Sequence, residues 1–136
     1  MGGVQQQVQV AAQGGKVIVT LTVINASAAP VYVARAVYED HELFGRAFDV
    51  TDAASGAPLD YTGPMVKRGP PTAADYMAIE PGAKHSNAID ITRSYAFKPG
   101  THSYQLAFAG NYLGNLARLD AASHAASAPV TFTFTK

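Results

Sequence analysis

Apolar and polar residues alternate along most of this chain with a period of two, which is the period of a half-buried β-strand. Val4, Val8 and Val10 alternate with Gln5, Gln7 and Gln9, and Gln13-Gly14-Gly15 then turns the chain. Lys16 to Asn25 carries the pattern most strongly. Val17, Val19, Leu21 and Val23 fall on one face, with Ile18, Thr20, Thr22 and Ile24 on the other. Its density of β-branched residues opposes helix. After the small, polar stretch 25–30, Val31 to Tyr38 resumes strand character, Asp40 to Gly45 breaks it, and a short strand is expected around Ala47 to Val50. Glu80-Pro81-Gly82 and Lys98-Pro99-Gly100 read as turns. They introduce a strand over Lys84 to Ile91 and one in which His102, Tyr104, Leu106 and Phe108 share a side. The stretch 109–128 reads as an irregular excursion, and Val130, Phe132 and Phe134 alternating with three threonines close the chain.

About seven short strands separated by turn signals, without a persuasive amphipathic helix, predict an all-β fold. The architecture expected is an antiparallel, immunoglobulin-like β-sandwich filling one domain over 1–136. Its core should draw on Val17, Val19, Leu21, Val23, Leu106, Phe108, Phe132 and Phe134.

Composition narrows the chemistry. Ten basic and ten acidic side chains cancel, so no nucleic acid or anionic membrane is implied as a partner. The chain contains no cysteine, which excludes disulfides and thiolate catalysis. No apolar run has the length needed to span a bilayer. Met1-Gly2-Gly3 reads as an initiator and a short scar, which leaves room for a leader already removed.

Catalytic signatures fail one by one. His41-Glu42 begins a His-Glu-x-x-His motif, but the position of the second histidine is Gly45. His41, His85, His102 and His124 fall on different expected elements, without metal-ligand spacing. There is no Gly-x-Ser-x-Gly elbow and no phosphate-binding glycine loop. Glu39 and Asp40 are neighbours that a strand would point to opposite faces. No catalytic residue, metal ligand or cofactor is expected.

One stretch has neither period. Tyr61 to Tyr76 contains Pro64, Pro70 and Pro71, each fixing φ near −65° and lacking a backbone donor. Between the prolines lie the apolar pair Met65-Val66 and the basic pair Lys67-Arg68. Two readings stand. The segment is either an inter-strand loop stiffened for stability, with Tyr61 and Tyr76 anchoring its ends, or a preformed recognition segment carried by a rigid scaffold.

The pattern Tyr-x-Gly-x-x-Val-Lys-Arg-x-x-Pro-Thr-Ala-x-Asp-Tyr over 61–76 resembles the N-terminal β-sandwich region of deuterolysin-type zinc metalloendopeptidases (aspzincins). Ile-Glu-Pro-Gly at 79–82, Ile-Asp-Ile at 89–91, Ser94-Tyr95 and Pro99-Gly100 fit the same resemblance. It covers roughly 16–136 and is most specific over 66–76. In those enzymes a catalytic domain follows, carrying His-Glu-x-x-His and a downstream Gly-Thr-x-x-Asp. Here the zinc motif is missing, and Gly100-Thr101 leads to Tyr104 where the aspartate belongs.

The resemblance therefore implies a propeptide-like partner or inhibitor of such a protease, acting in trans from a secreted or periplasmic setting as a monomer or weak oligomer. Its partner-binding residues would be Pro64, Met65, Val66, Lys67, Arg68, Pro70, Pro71 and Asp75. The alternative is a non-catalytic binding or structural module, including an excised domain of a larger protease.

Overall fold

The computed structural model describes residues 3–66, 72–119, 122–125 and 127–136. The chain is nearly all β and every strand pair is antiparallel.

One sheet has the order β1-β2-β6, built from Val4–Gln13, Lys16–Asn25 and Lys84–Asp90. The other has the order β10-β7-β4, built from Val130–Thr135, Thr101–Ala107 and Asp49–Asp52. A smaller pair joins β3 (Val31–Ala34) to β5 (Tyr76–Ile79), and β8 (Asn111–Tyr112) pairs with β9 (Ser123–His124). The sandwich expected from the alternation is thus present.

β1 and β2 form a hairpin across Gly14-Gly15. Both glycines have positive φ (63° and 76°), as the two-residue turn compatible with strand twist requires. The register set there buries Val17, Val19, Leu21 and Val23 completely. Their facing layer comes from Val50, Tyr104, Leu106, Phe132 and Phe134, all buried. Phe108 is half-buried and packs edge-on against Phe48 with centroids 5.5 Å apart. Phe97 completes an aromatic centre, 5.1 Å from Tyr104 and 5.2 Å from Phe134 between centroids.

The strand expected over Val31–Tyr38 stops at Ala34. Arg35–Tyr38 instead forms a single helical turn, α1. Its cause is visible: Val37 and Tyr38 are both buried, which an alternating strand would not allow. The short strand expected around Ala47–Val50 is shifted to Asp49–Asp52. The stretch read as irregular over 109–128 contains β8 and β9.

Three buried polar residues tie elements together where the apolar pattern breaks. Gln6, on the inward face of β1, accepts from the Tyr38 hydroxyl (2.6 Å) and donates to the Gly110 carbonyl (2.6 Å). Asn25 donates to Ala29 O (2.9 Å) and Ile79 O (2.8 Å). Asn87 donates to Val37 O (3.0 Å) and Asp40 O (2.8 Å), and so fixes α1 beside β6.

Candidate functional site

The segment after β4 is pinned before it becomes exposed. Ala96 N–H donates to Asp60 O (3.0 Å), and Thr62 N–H donates to Ser94 O (2.8 Å). The half-buried Tyr61 ring packs edge-on against buried Tyr95, with centroids 5.6 Å apart. Tyr95 in turn donates its hydroxyl to Phe48 O (2.7 Å) and accepts from Phe48 N–H (3.1 Å). Burial pushes the Tyr95 phenol up to about 12.

From this base the chain rises into a ridge. The Tyr61 hydroxyl reaches Pro64 O (2.6 Å) and Leu43 O (3.3 Å), and Val66 N–H donates to Phe44 O (3.0 Å). Burial raises the Tyr61 pKa against the lowering effect of the Gly45 N–H. Gly63 permits the fold-back, because a side chain there would lie 2.7 Å from the Tyr61 hydroxyl oxygen. Proline suits the crest, since Pro64 has no N–H to satisfy.

The consequence is an apolar crest facing solvent. Met65 is 74% exposed and Val66 52%, and they are the exposed large hydrophobic residues among those described. A cleft borders the ridge on each side. One, of about 730 Å³, runs between α1 and the ridge, with Val37, Leu43, Phe44 and Val66 on its apolar wall and Asp75 and Tyr76 opposite. The other, of about 580 Å³, carries more charged side chains, with Lys16, His41, Glu42, Asp90 and Arg93 beside Leu43 and Pro64. In it the Asp90 carboxylate accepts from the Thr92 hydroxyl (2.6 Å) and N–H (2.9 Å). Burial opposes ionisation there, but those bonds and the charges of Lys16 and Arg93 outweigh it, and the Asp90 pKa is lowered.

The far end of the segment is a 3₁₀ turn over Ala73–Asp75. The Asp75 carboxylate accepts the Thr72 N–H (2.8 Å), and Arg35, paired with Glu39 at 2.8 Å, donates to Ala74 O (3.1 Å).

The expected binding residues therefore separate into three groups. Pro64, Met65 and Val66 come together on the crest. Asp75 lies across the first cleft with its carboxylate engaged locally. Lys67, Arg68, Pro70 and Pro71 lie outside the described residues. The sequence marks 40–45 as a break containing a failed zinc motif and gives no sign of Leu43 and Phe44, whose carbonyls hold the ridge. Backbone acceptors leave no residue-type signal.

The four histidines do not converge. His41, His85 and His102 each donate to a nearby carbonyl (Ala88, Tyr38 and Pro99 respectively), and His124 bonds Asn111. Among the described residues no three metal-ligating side chains gather. Among the same residues no helix is long and apolar enough to cross a membrane.

No protein-family model matches this chain, and no curated protein matches it. Among solved structures it is similar to one titled "X-ray structure of Northeast Structural Genomics Consortium target SoR45". That likeness has a TM-score of 0.53 and 13% identity, covering 98% of this chain and 87% of the other. It concerns the fold alone.

Proposed function

We propose that this protein is a propeptide-like inhibitor of a deuterolysin-type zinc metalloendopeptidase, and that it docks through the ridge that begins at Pro64. The observation that carries the reading is the solvent-facing pair Met65 and Val66 on a backbone fastened from below by Tyr61 and Phe44. An exposed apolar pair on a loose loop would lose much of its binding energy to ordering; a fastened one loses little. Met65 and Val66 fill apolar subsites of the protease. Lys67 and Arg68, next in sequence, supply cations for carboxylates beside its zinc site. Pro64, Pro70 and Pro71 withhold the N–H groups that a protease uses to align a substrate strand. The setting that suits such an encounter is secreted or periplasmic.

The first test is inhibition of peptide hydrolysis by a deuterolysin-type endopeptidase, with Lys67→Ala/Arg68→Ala as the variant. The native protein inhibits, and the variant inhibits at least tenfold less well, a loss of about 1.4 kcal/mol or more. A native protein that neither inhibits nor binds the protease removes the inhibitor reading and leaves a binding module of other specificity.

A further inference from the structure

We infer that Asn25 is a modification site whose use and the native fold exclude one another, so that the chain folds only where no oligosaccharyl transfer reaches it first. Asn25-Ala26-Ser27 matches Asn-x-Ser, the acceptor pattern for N-linked glycosylation. No other asparagine of the chain has a serine or threonine two residues further on. Such an acceptor ordinarily lies on a surface loop, where a bulky glycan projects into solvent. Here it does not. Asn25 is the last residue of β2 and is wholly buried.

The reaction needs atoms that the fold has already engaged. In oligosaccharyl transfer the acceptor amide nitrogen bonds to the anomeric carbon of an oligosaccharide carried on a lipid diphosphate. The bond from that carbon to the diphosphate breaks, the lipid diphosphate leaves, and the nitrogen gives up one of its two protons. In this fold Asn25 Nδ2 donates both hydrogens, to Ala29 O (2.9 Å) and Ile79 O (2.8 Å). Its Oδ1 accepts from the Ser27 N–H (3.0 Å) and the Ser27 hydroxyl (2.6 Å), which turns the hydroxyl of the acceptor pattern onto the acceptor amide itself. The main chain is closed as well: Asn25 N–H donates to Ala83 O (3.0 Å), and Asn25 O accepts from Gly82 N–H (2.6 Å). A glycan on Nδ2 removes one of the two donors and places a sugar ring where the loop 25–30 and the end of β5 now pack. Folded, Asn25 is out of reach; modified, it cannot be enclosed.

Chain order decides which event comes first. Ile79 follows Asn25 by 54 residues, about 3–11 s of synthesis at about 5–20 residues per second. β6, β7 and β10 come later still. A compartment that glycosylates chains as they enter therefore meets Asn25 before its enclosure exists. The inference is independent of the inhibitor reading, and it narrows the setting given there. A periplasm without oligosaccharyl transfer admits the fold, and a glycosylating secretory route blocks it.

The test is cell-free translation of the full chain behind a cleavable signal peptide, into microsomes that carry out oligosaccharyl transfer. A parallel reaction contains an excess of acceptor tripeptide, which competes for the oligosaccharide and leaves the chain unmodified. Both products are released with detergent and digested by a time course of thermolysin. Without the competitor the chain should gain the mass of one glycan and be digested at least tenfold faster than the unmodified chain made with it. A glycosylated chain as resistant as the unmodified one overturns the inference, as does equal sensitivity of the two. A chain that stays unmodified without the competitor overturns the order of events and frees the secretory route.

Discussion

β2 and the ridge at 61–66 hold their residues in place by opposite means. Along β2 the apolar side chains themselves do the fixing: Val17, Val19, Leu21 and Val23 are fully buried, and the backbone follows their alternation. On the ridge the apolar side chains face water, and hydrogen bonds from Tyr61 and to Phe44 fix the backbone under them. A side chain whose removal costs stability belongs to the first kind of region. One that can be removed at no cost to the fold is available for a partner.

The comparison is sharpened most strongly in the core. Phe132 is 7% exposed and packs on Phe97 and Tyr104, so Phe132→Ala should cost about 3–5 kcal/mol in denaturant melts. Met65→Ala in the same assay should fall within about 0.5 kcal/mol of the native protein. Equal losses at the two positions would erase the distinction.

Asn25→Ala should come next. The change strips the buried Ile79 carbonyl and the Ser27 N–H of their Asn25 partner, while the Ala29 carbonyl keeps the Ser27 hydroxyl (2.9 Å); a buried group so stranded costs about 1–3 kcal/mol. Urea unfolding of the variant is the check.

A smaller effect is set by pH. The Lys98 ammonium, 2.7 Å from Asp52, and then the N–H groups of Ser55 and Ala54 hold the Asp52 carboxyl down at about 2, below its ordinary 3.8. The unfolded chain therefore takes up this proton first as pH falls. The contribution of Asp52 is complete above its ordinary pKa and is lost as pH drops from about 4 towards about 2. Asp52→Asn should flatten the acid limb of stability in that window and leave the slope at neutral pH unchanged.

The smallest effect concerns the ridge's fastening. Tyr61→Phe removes the bonds to Pro64 O and Leu43 O but keeps the ring against Tyr95. Stability should fall by about 0.5–1.5 kcal/mol, while hydrogen exchange at the Val66 N–H accelerates more than exchange within β2. Uniform acceleration would mean that the ridge is not separately fastened.

The sequence made the sandwich legible because alternation is a side-chain property: the expected core set is buried, with Phe108 half-buried at its margin. The turn at Arg35–Tyr38 was not legible, since Val31–Tyr38 carries β-branched and aromatic residues that suit a strand. Burial of the consecutive Val37 and Tyr38 decides the matter, and that depends on Asn87 and Gln6, both remote in sequence. The odd prolines and the Met65-Val66 pair marked the ridge as a region of interest. Its two flanking clefts depend on where residues 41–46 and β6 come to lie, which no local pattern encodes.

The central claim is that the crest binds without contributing to the fold. Its most direct test is Met65→Asp with Val66→Asp, measured both for thermal midpoint and for inhibition of a deuterolysin-type endopeptidase that the native protein inhibits. The account predicts an unchanged midpoint and inhibition weakened at least tenfold, because two desolvated apolar contacts become buried charges. Undiminished inhibition, or a midpoint that falls together with the inhibition, would contradict it.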